Sequence, residues 1–224
     1  MRPSILVLFL ASSLAGAGQA RPTGACPFRD FDNDSQHNPQ IAEVATKTGA
    51  TAWMDCDSPR GCSSLRFDPG SPVLISTTDG PWTCGYSVDR HSGGSAWFRS
   101  AELHLVKYQL NPPIDAWDGT WTGGEDRVVI TSSKQGKALH LEGNATWHGF
   151  NEVEHFGSTE GDAIPTGNYL HFAEGGPDSC AIELTLAGKF IIASDNMLCG
   201  ALNARFRGIW KRAPARQPAP GKAH

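Results

Sequence analysis

The sequence has no long amphipathic periodicity, and beyond its amino-terminal end it has no long apolar run. A helix that spans a bilayer needs about 20 apolar residues, so we expect no membrane span. Glycine (25 residues) and proline (15 residues) are plentiful, and the apolar stretches are short. This combination predicts an all-β chain built from short strands and many turns.

Spacings that define common catalytic sites are also missing. No Gly-x-Ser-x-Gly, His-Glu-x-x-His or Gly-x-x-x-x-Gly-Lys pattern occurs, although nucleophile elbows, zinc proteases and phosphate loops depend on these spacings. No Cys-x-x-Cys occurs either, so a structural zinc site is not expected. We therefore predict a protein that is not an enzyme and that needs no metal or cofactor.

The first twenty residues match a secretory signal peptide. Arg2 supplies a positive start, an apolar run begins at Ile5, and small residues at 18–20 suit cleavage. Export would place the mature chain in an oxidising space, where cysteines form disulfides. We predict a secreted or periplasmic protein in which the six cysteines are paired.

Charged residues are unevenly distributed along the rest of the chain. Residues 109–210 carry 6 Lys and Arg against 13 Asp and Glu, whereas residues 211–224 carry four basic residues and no acidic one. An acidic body argues against nucleic acid as a partner, because phosphate binding needs a basic surface. The end of the chain, 213–224, is rich in proline and alanine and is predicted to be disordered.

Two consecutive prolines, Pro112 and Pro113, remove two backbone donors and favour an extended spacer. We place a linker at 109–114. It would separate a first β domain with an amino-terminal extension, residues 21–108, from a second one at 115–212.

Residues 45–108 resemble the bacterial SH3-like domain. An apolar strand at 73–75 is followed by Gly80-Pro81-Trp82, then by Gly94-Ser95-Ala96-Trp97-Phe98-Arg99 and by Leu103. The resemblance implies a small β-barrel that serves as a binding module of the cell envelope. The ligand contacts it implies are Trp82, Tyr86, Trp97, Phe98 and Arg99.

The second half opens with Gly119-Thr120-Trp121 and continues with about eight strand candidates, of which the last is Leu202–Trp210. So many short strands in a hundred residues predict a closed antiparallel barrel, which leaves no edge exposed. The pattern looks like a lipocalin- or avidin-type barrel. That resemblance implies that the early tryptophan packs against a late basic residue, here Arg205 or Arg207.

Six cysteines permit 15 pairings, and their spacing favours one of them. Cys180 and Cys199 flank a turn at 187–189, so a hairpin would bring them together. A short, turn-rich segment separates Cys56 from Cys62. The first choice is therefore Cys180–Cys199 and Cys56–Cys62, which leaves Cys26–Cys84.

Two clusters of polar residues could carry chemistry. Residues 148–155 contain two histidines and two carboxylates, which could bind a metal or act as acid and base. An exposed acidic strand is the favoured interpretation of this cluster. Carboxylates alternate at 30–34, but the EF-hand pattern then fails at Ser35 and Ile41, so a solvated turn is favoured over a calcium site.

Three functional hypotheses remain. The first is a non-enzymatic binding protein of the bacterial envelope, whose partner is a cell-wall component, a peptide or an envelope protein. The second is an inhibitor of a basic enzyme such as a lysozyme, steered by charge. The third is a hydrolase or metalloenzyme that uses residues 148–155. The acidic edge in the second hypothesis consists of Glu152, Glu154, Glu160 and Asp162.

Overall fold

The computed structural model describes residues 22–27, 39–58, 60–88, 93–149, 153–176 and 178–214. These residues form fifteen β-strands and two short 3-10 helices, Ser100–Glu102 and Ile114–Trp117, which confirms the all-β prediction. In this part of the chain neither helix has the length to cross a bilayer. The predicted signal peptide, the carboxylates at 30–34 and most of the predicted tail lie outside the described residues.

Seven antiparallel strands form the first sheet. They are β1 (Ile41–Val44), β2 (Ala50–Met54), β3 (Ser63–Phe67), β4 (Pro72–Asp79), β5 (Trp82–Val88), β6 (Gly93–Arg99) and β7 (Leu103–Leu105). Their spatial order is β3-β2-β6-β5-β4-β1-β7. One face buries a small core around Phe67 and Phe98. The opposite face carries the tryptophans of β2, β5 and β6.

Eight antiparallel strands form the second sheet, in agreement with the expected number. They are β8 (Gly119–Gly123), β9 (Asp126–Ser132), β10 (Leu139–His148), β11 (Glu154–Ala163), β12 (Tyr169–Ala173), β13 (Ala181–Ala187), β14 (Phe190–Asp195) and β15 (Gly208–Arg212). The order is β11-β10-β9-β8-β15-β14-β13-β12. Strands β8 to β11 pair in sequence order, as do strands β12 to β15, and β15 pairs with β8. The sheet curls into a nearly closed barrel whose two edge strands are β11 and β12.

Three strand predictions were wrong or incomplete. The predicted strand Leu202–Trp210 begins only at Gly208, because Asn203 takes a left-handed backbone conformation (φ 66°) that interrupts strand alternation. Strands β1 and β3 were not predicted. Strand β1 has only four residues, and only Phe67 of β3 is fully buried, so neither shows a clear alternating pattern.

The interior of the second sheet is filled by the protein's own side chains. Trp117, Trp121 and Trp210 are completely buried there. A Cβ atom at Gly123 would lie 1.9 Å from Cδ1 of Trp210, so this indole ring packs directly on the backbone of β8. In this part of the interior the protein's own side chains leave little room for a ligand.

The two sheets share a buried apolar cluster. Ile41 and Leu74 of the first sheet belong to one cluster with Phe190, Ile192 and Ile209 of the second. The ammonium of Lys189 also lies 2.5 Å from a carboxylate oxygen of Glu43. The predicted domains are therefore in contact through their outer faces.

Replacing Gly123 with alanine should destabilise the protein, because the added Cβ would overlap the ring of Trp210. Overpacking of this kind costs about 1–3 kcal/mol. The free energy of unfolding in urea, with disulfides intact, measures the effect. Gly176→Ala is the matched control, since a Cβ there meets no atom within 4 Å. If both variants lose the same free energy of unfolding, the packing of Trp210 on Gly123 is contradicted.

Candidate interaction surface

The outer face of β10 and β11 is acidic. Alternate residues of each strand point outwards, and the register places Glu142 opposite Glu160 and His140 opposite Asp162. Glu154 lies at the start of β11 on the same face. Three of the four predicted acidic-edge residues are thus brought together, and Glu152 lies outside the described residues.

Two histidines on this face lie between carboxylates. Nδ1 of His140 is 2.8 Å from Asp162, and its Nε2 is 3.8 Å from Glu160. His148 contacts Glu125, and its Nδ1 is 3.4 Å from Glu154. Among the described residues, no group of three or more His, Cys, Asp or Glu is arranged to hold a metal ion. The arrangement is a charged surface in which each imidazole already has carboxylate partners.

The segment between β14 and β15, residues 196–207, is an irregular loop held by a dense set of contacts. The Cys180–Cys199 disulfide ties it to the start of β13. The amide of Asn196 donates to the carbonyl of Ser179 (2.7 Å), and its oxygen accepts the N–H of Ala181 (3.1 Å). The carboxylate of Asp195 accepts the N–H of Phe206 at 2.6 Å. These contacts hold both ends of the loop.

The same loop crosses the edge of β11. Gly200 forms a β-bridge with Gly157, and the N–H of Ala201 donates to the carbonyl of Phe156 at 3.0 Å. A Cβ at Gly157 would lie 2.6 Å from the carbonyl oxygen of Cys199. Glycine is therefore required for this close approach of two backbones.

Large apolar side chains are exposed where the loop meets β11. Phe156, Met197, Leu198 and Leu202 are each more than half exposed, and we call these four residues the apolar loop surface. Met197 also has a left-handed backbone conformation (φ 69°), which is unfavourable for a residue with a side chain. Exposed apolar clusters and locally strained backbone both concentrate at functional sites.

A second polar group lies on β12, β13 and β14. The register places Glu183 between His171 and Ser194, and Nδ1 of His171 is 3.9 Å from the carboxylate. Burial, followed by the hydrogen bond to Glu183, raises the pKa of Tyr169 to about 12. Since the carboxylate occupies the central strand, this row lacks the order that a serine nucleophile and its histidine base require.

The residues implied by the SH3-like resemblance do not form one open surface. Trp82 and Trp97 are almost completely buried, and Tyr86 packs in the cluster between the two sheets. The guanidinium of Arg99 lies 4.8 Å from the centre of the Trp82 ring. Strand alternation turns Phe98 to the interior, where its ring lies 5.1 Å from Phe67.

The two histidines of the predicted 148–155 cluster lie on opposite sides of β10 and β11. His148 lies outwards with Glu154, whereas His155 packs its ring 5.2 Å from that of Trp147. The two histidines therefore do not converge on one point.

The three disulfides are the three predicted pairs, Cys26–Cys84, Cys56–Cys62 and Cys180–Cys199. In the described residues every cysteine is paired.

The expected contact between the early tryptophan and a late arginine exists, but with a different arginine. The guanidinium of Arg212 lies 4.3 Å from the centre of the Trp121 ring and donates to the carbonyls of Ala116 and Asp118. The prediction of Arg205 for this role was wrong, and that of Arg207 stays a prediction. Both precede the last strand, which starts at Gly208 rather than at residue 202.

Comparison with known proteins gives no match among family models, curated proteins or solved structures. Fold and surface together define a disulfide-linked all-β protein with an acidic outer face and an adjacent apolar loop.

Sequence reasoning did not find the apolar loop surface, because it assigned Leu202 to a strand. A signal was nevertheless present. Met197 and Leu198 lie between a turn-forming Asp195-Asn196 pair and the Cys199-Gly200 pair. Apolar residues inside such a turn-forming, cross-linked segment indicate an exposed loop.

Asp126, the first residue of β9, should make stability depend on pH. Burial raises its pKa from 3.8 to about 6; the N–H of Thr146 lowers it, and Glu125 and Asp195 raise it. A carboxyl group whose pKa is raised by folding holds its proton more tightly when folded, so stability falls as pH rises between about 4 and 6. Asp126→Asn should remove this fall.

Melting temperatures of both proteins between pH 3.5 and 8 test this expectation. The melting temperature of the variant should rise relative to that of the parent protein as pH increases from 4 to 6. Above pH 6 the difference between the two melting temperatures should stay constant. Parallel curves for the two proteins would show that Asp126 is not responsible.

Proposed function

We propose that this protein is a secreted, non-enzymatic binding protein that docks a cationic protein through its apolar loop surface and the acidic face beside it. The observation that carries the proposal is the disulfide-anchored loop, which exposes Met197, Leu198 and Leu202 and whose Ala201 donates to the carbonyl of the exposed Phe156. The expected setting is the periplasm or the exterior of a bacterium.

The state of the cysteines supports export. Three disulfides link the described residues, and such bonds persist in oxidising compartments. The signal-peptide pattern at residues 1–20 agrees with this setting.

The shape of the surface favours a protein as the ligand. An exposed loop that carries methionine, leucine and phenylalanine side chains can fill a concave apolar site on a partner. Anchoring the loop before binding lowers the entropy lost on association. A cell-wall glycan would be better served by exposed aromatic rings, but Trp82 and Trp97 are almost completely buried.

Charge favours a cationic partner. Glu142, Glu154, Glu160 and Asp162 share the outer face of β10 and β11, on which Arg127 of β9 also lies. A surface of one predominant sign steers a partner of opposite sign and accelerates encounter at low salt. An inhibitor of a basic enzyme such as a lysozyme is the narrower form of this proposal, in which the loop would enter the active-site cleft.

Binding to a purified lysozyme, measured by calorimetry at low and high ionic strength, tests the proposal. Affinity should fall as salt rises, and the lysozyme should lose activity when bound. Leu198→Asp should weaken binding by about tenfold or more, because burying one such side chain contributes about 1.5–3 kcal/mol.

Leu110→Asp is the matched control, since Leu110 is exposed to the same degree as Leu198 but lies on the linker. Glu160→Gln combined with Asp162→Asn should reduce the salt dependence. Retention on purified peptidoglycan that is insensitive to Leu198→Asp, without binding to lysozyme, would overturn the proposal.

A further inference from the structure

Three tryptophans form a row on the outer face of the first sheet. Trp53 of β2 pairs with Trp97 of β6, which pairs in turn with Cys84 of β5. Trp82 lies two residues before Cys84 on the same face and belongs to the same cluster. We call Trp53, Trp82 and Trp97 the tryptophan row. Such a row offers a large apolar area with indole N–H groups as donors.

The chain's own residues Pro22–Pro27 lie across this row. The indole N–H of Trp97 donates to the carbonyl of Gly24 at 3.1 Å. Cys26 is bonded to Cys84, and the hydroxyl of Ser76 donates to the carbonyl of Pro27 at 3.3 Å. The segment thus reaches from the tryptophan row to β4.

This arrangement has the features of a bound peptide that bends at Gly24, whose φ is 86°. The sheet contributes an aromatic floor and a side-chain donor that contacts the main chain of the segment. Thr23 and Ala25 remain exposed, whereas Pro22 is buried, so the contact uses the main chain and the proline ring rather than the side chains of Thr23 and Ala25. Small residues between two prolines allow the backbone to approach the rings.

We propose that the tryptophan row is a peptide-binding site occupied in cis by residues 22–27, and that reduction of Cys26–Cys84 by a dithiol opens it to a second peptide of small residues that bends at a glycine. The site lies on the first sheet and the apolar loop surface on the second. This inference and the proposed function can therefore fail separately.

Burial decides how the disulfide would be opened. Cys84 is completely buried, whereas Cys26 is partly exposed, so an external dithiol reaches the sulfur of Cys26. One thiolate of the dithiol attacks the sulfur of Cys26 and forms a mixed disulfide with it, while Cys84 leaves as a thiolate and takes a proton. The second thiolate of the dithiol then attacks the dithiol's own sulfur in that mixed disulfide, and Cys26 is released and takes a proton. The protein disulfide gains two electrons, and the dithiol becomes a disulfide.

The disulfide also explains why the site is closed to other peptides while the bond is intact. It joins residues 58 positions apart in sequence, and so keeps the segment beside the row at a high effective concentration. A free peptide competes only after this constraint has been removed.

The test uses the full chain with Cys26→Ser and Cys84→Ser, and a synthetic peptide of residues 22–27 with serine in place of the cysteine. Tryptophan fluorescence should report binding to this double variant and none to the oxidised parent protein. Adding Trp97→Phe, which removes the indole donor, should weaken binding by about tenfold. The matched control is Cys180→Ser with Cys199→Ser, which should not bind the peptide.

Hydrogen exchange of the Trp97 indole N–H gives a second readout. The exchange rate should rise at least about tenfold in the double variant, and also in the parent protein after reduction with a dithiol and alkylation of Cys26 with iodoacetamide. An indole that stays protected, an opened row that does not bind the peptide, or a double variant that does not fold would each overturn the proposal.

Discussion

Disulfides that join irregular segments to strands are the constraint on which the surface of this protein depends. Cys26–Cys84 holds residues 22–27 on the first sheet, and Cys180–Cys199 holds the loop between β14 and β15 on the second. Segments without ladder hydrogen bonds cost conformational entropy to order. A cross-link reduces that cost by restricting the unfolded chain, so exposed and locally strained backbone can be kept in one conformation.

The alternation of side chains along each strand then determines which strand residues face the interior and which face other parts of the protein. In the first sheet it sends Phe98 inwards and Trp97 outwards, so residue 97 meets the amino-terminal segment. In the second sheet it turns Trp210 to the barrel interior and Ile209 towards the first sheet. Outward residues such as Ile209 therefore join the two sheets, and outward residues such as Trp97 are covered by residues 22–27. The acidic face of β10 and β11 is exposed to solvent.

Three histidines of the second sheet lie among carboxylates. His140 and His148 each lie between carboxylates on an exposed face, and Glu183 separates Ser194 from His171. A charged face beside a fixed apolar loop provides orientation and contact area, the two requirements of docking. The resemblance to SH3-like domains remains a prediction, as does the location of the protein outside the cytoplasm.

Local sequence determined the class of fold and much of its covalent framework. Short apolar runs between turn residues predicted the strands, and the turn at Gly188 with its flanking strands predicted the Cys180–Cys199 pair. These features depend on residues close together in the chain.

Packing between distant residues decided the rest. Arg212 rather than Arg205 covers Trp121, residues 22–27 cover Trp97, and the loop at Gly200 lies against Gly157. These contacts depend on the order in which the strands lie side by side in each sheet. The spacing of residues along the chain does not specify that order.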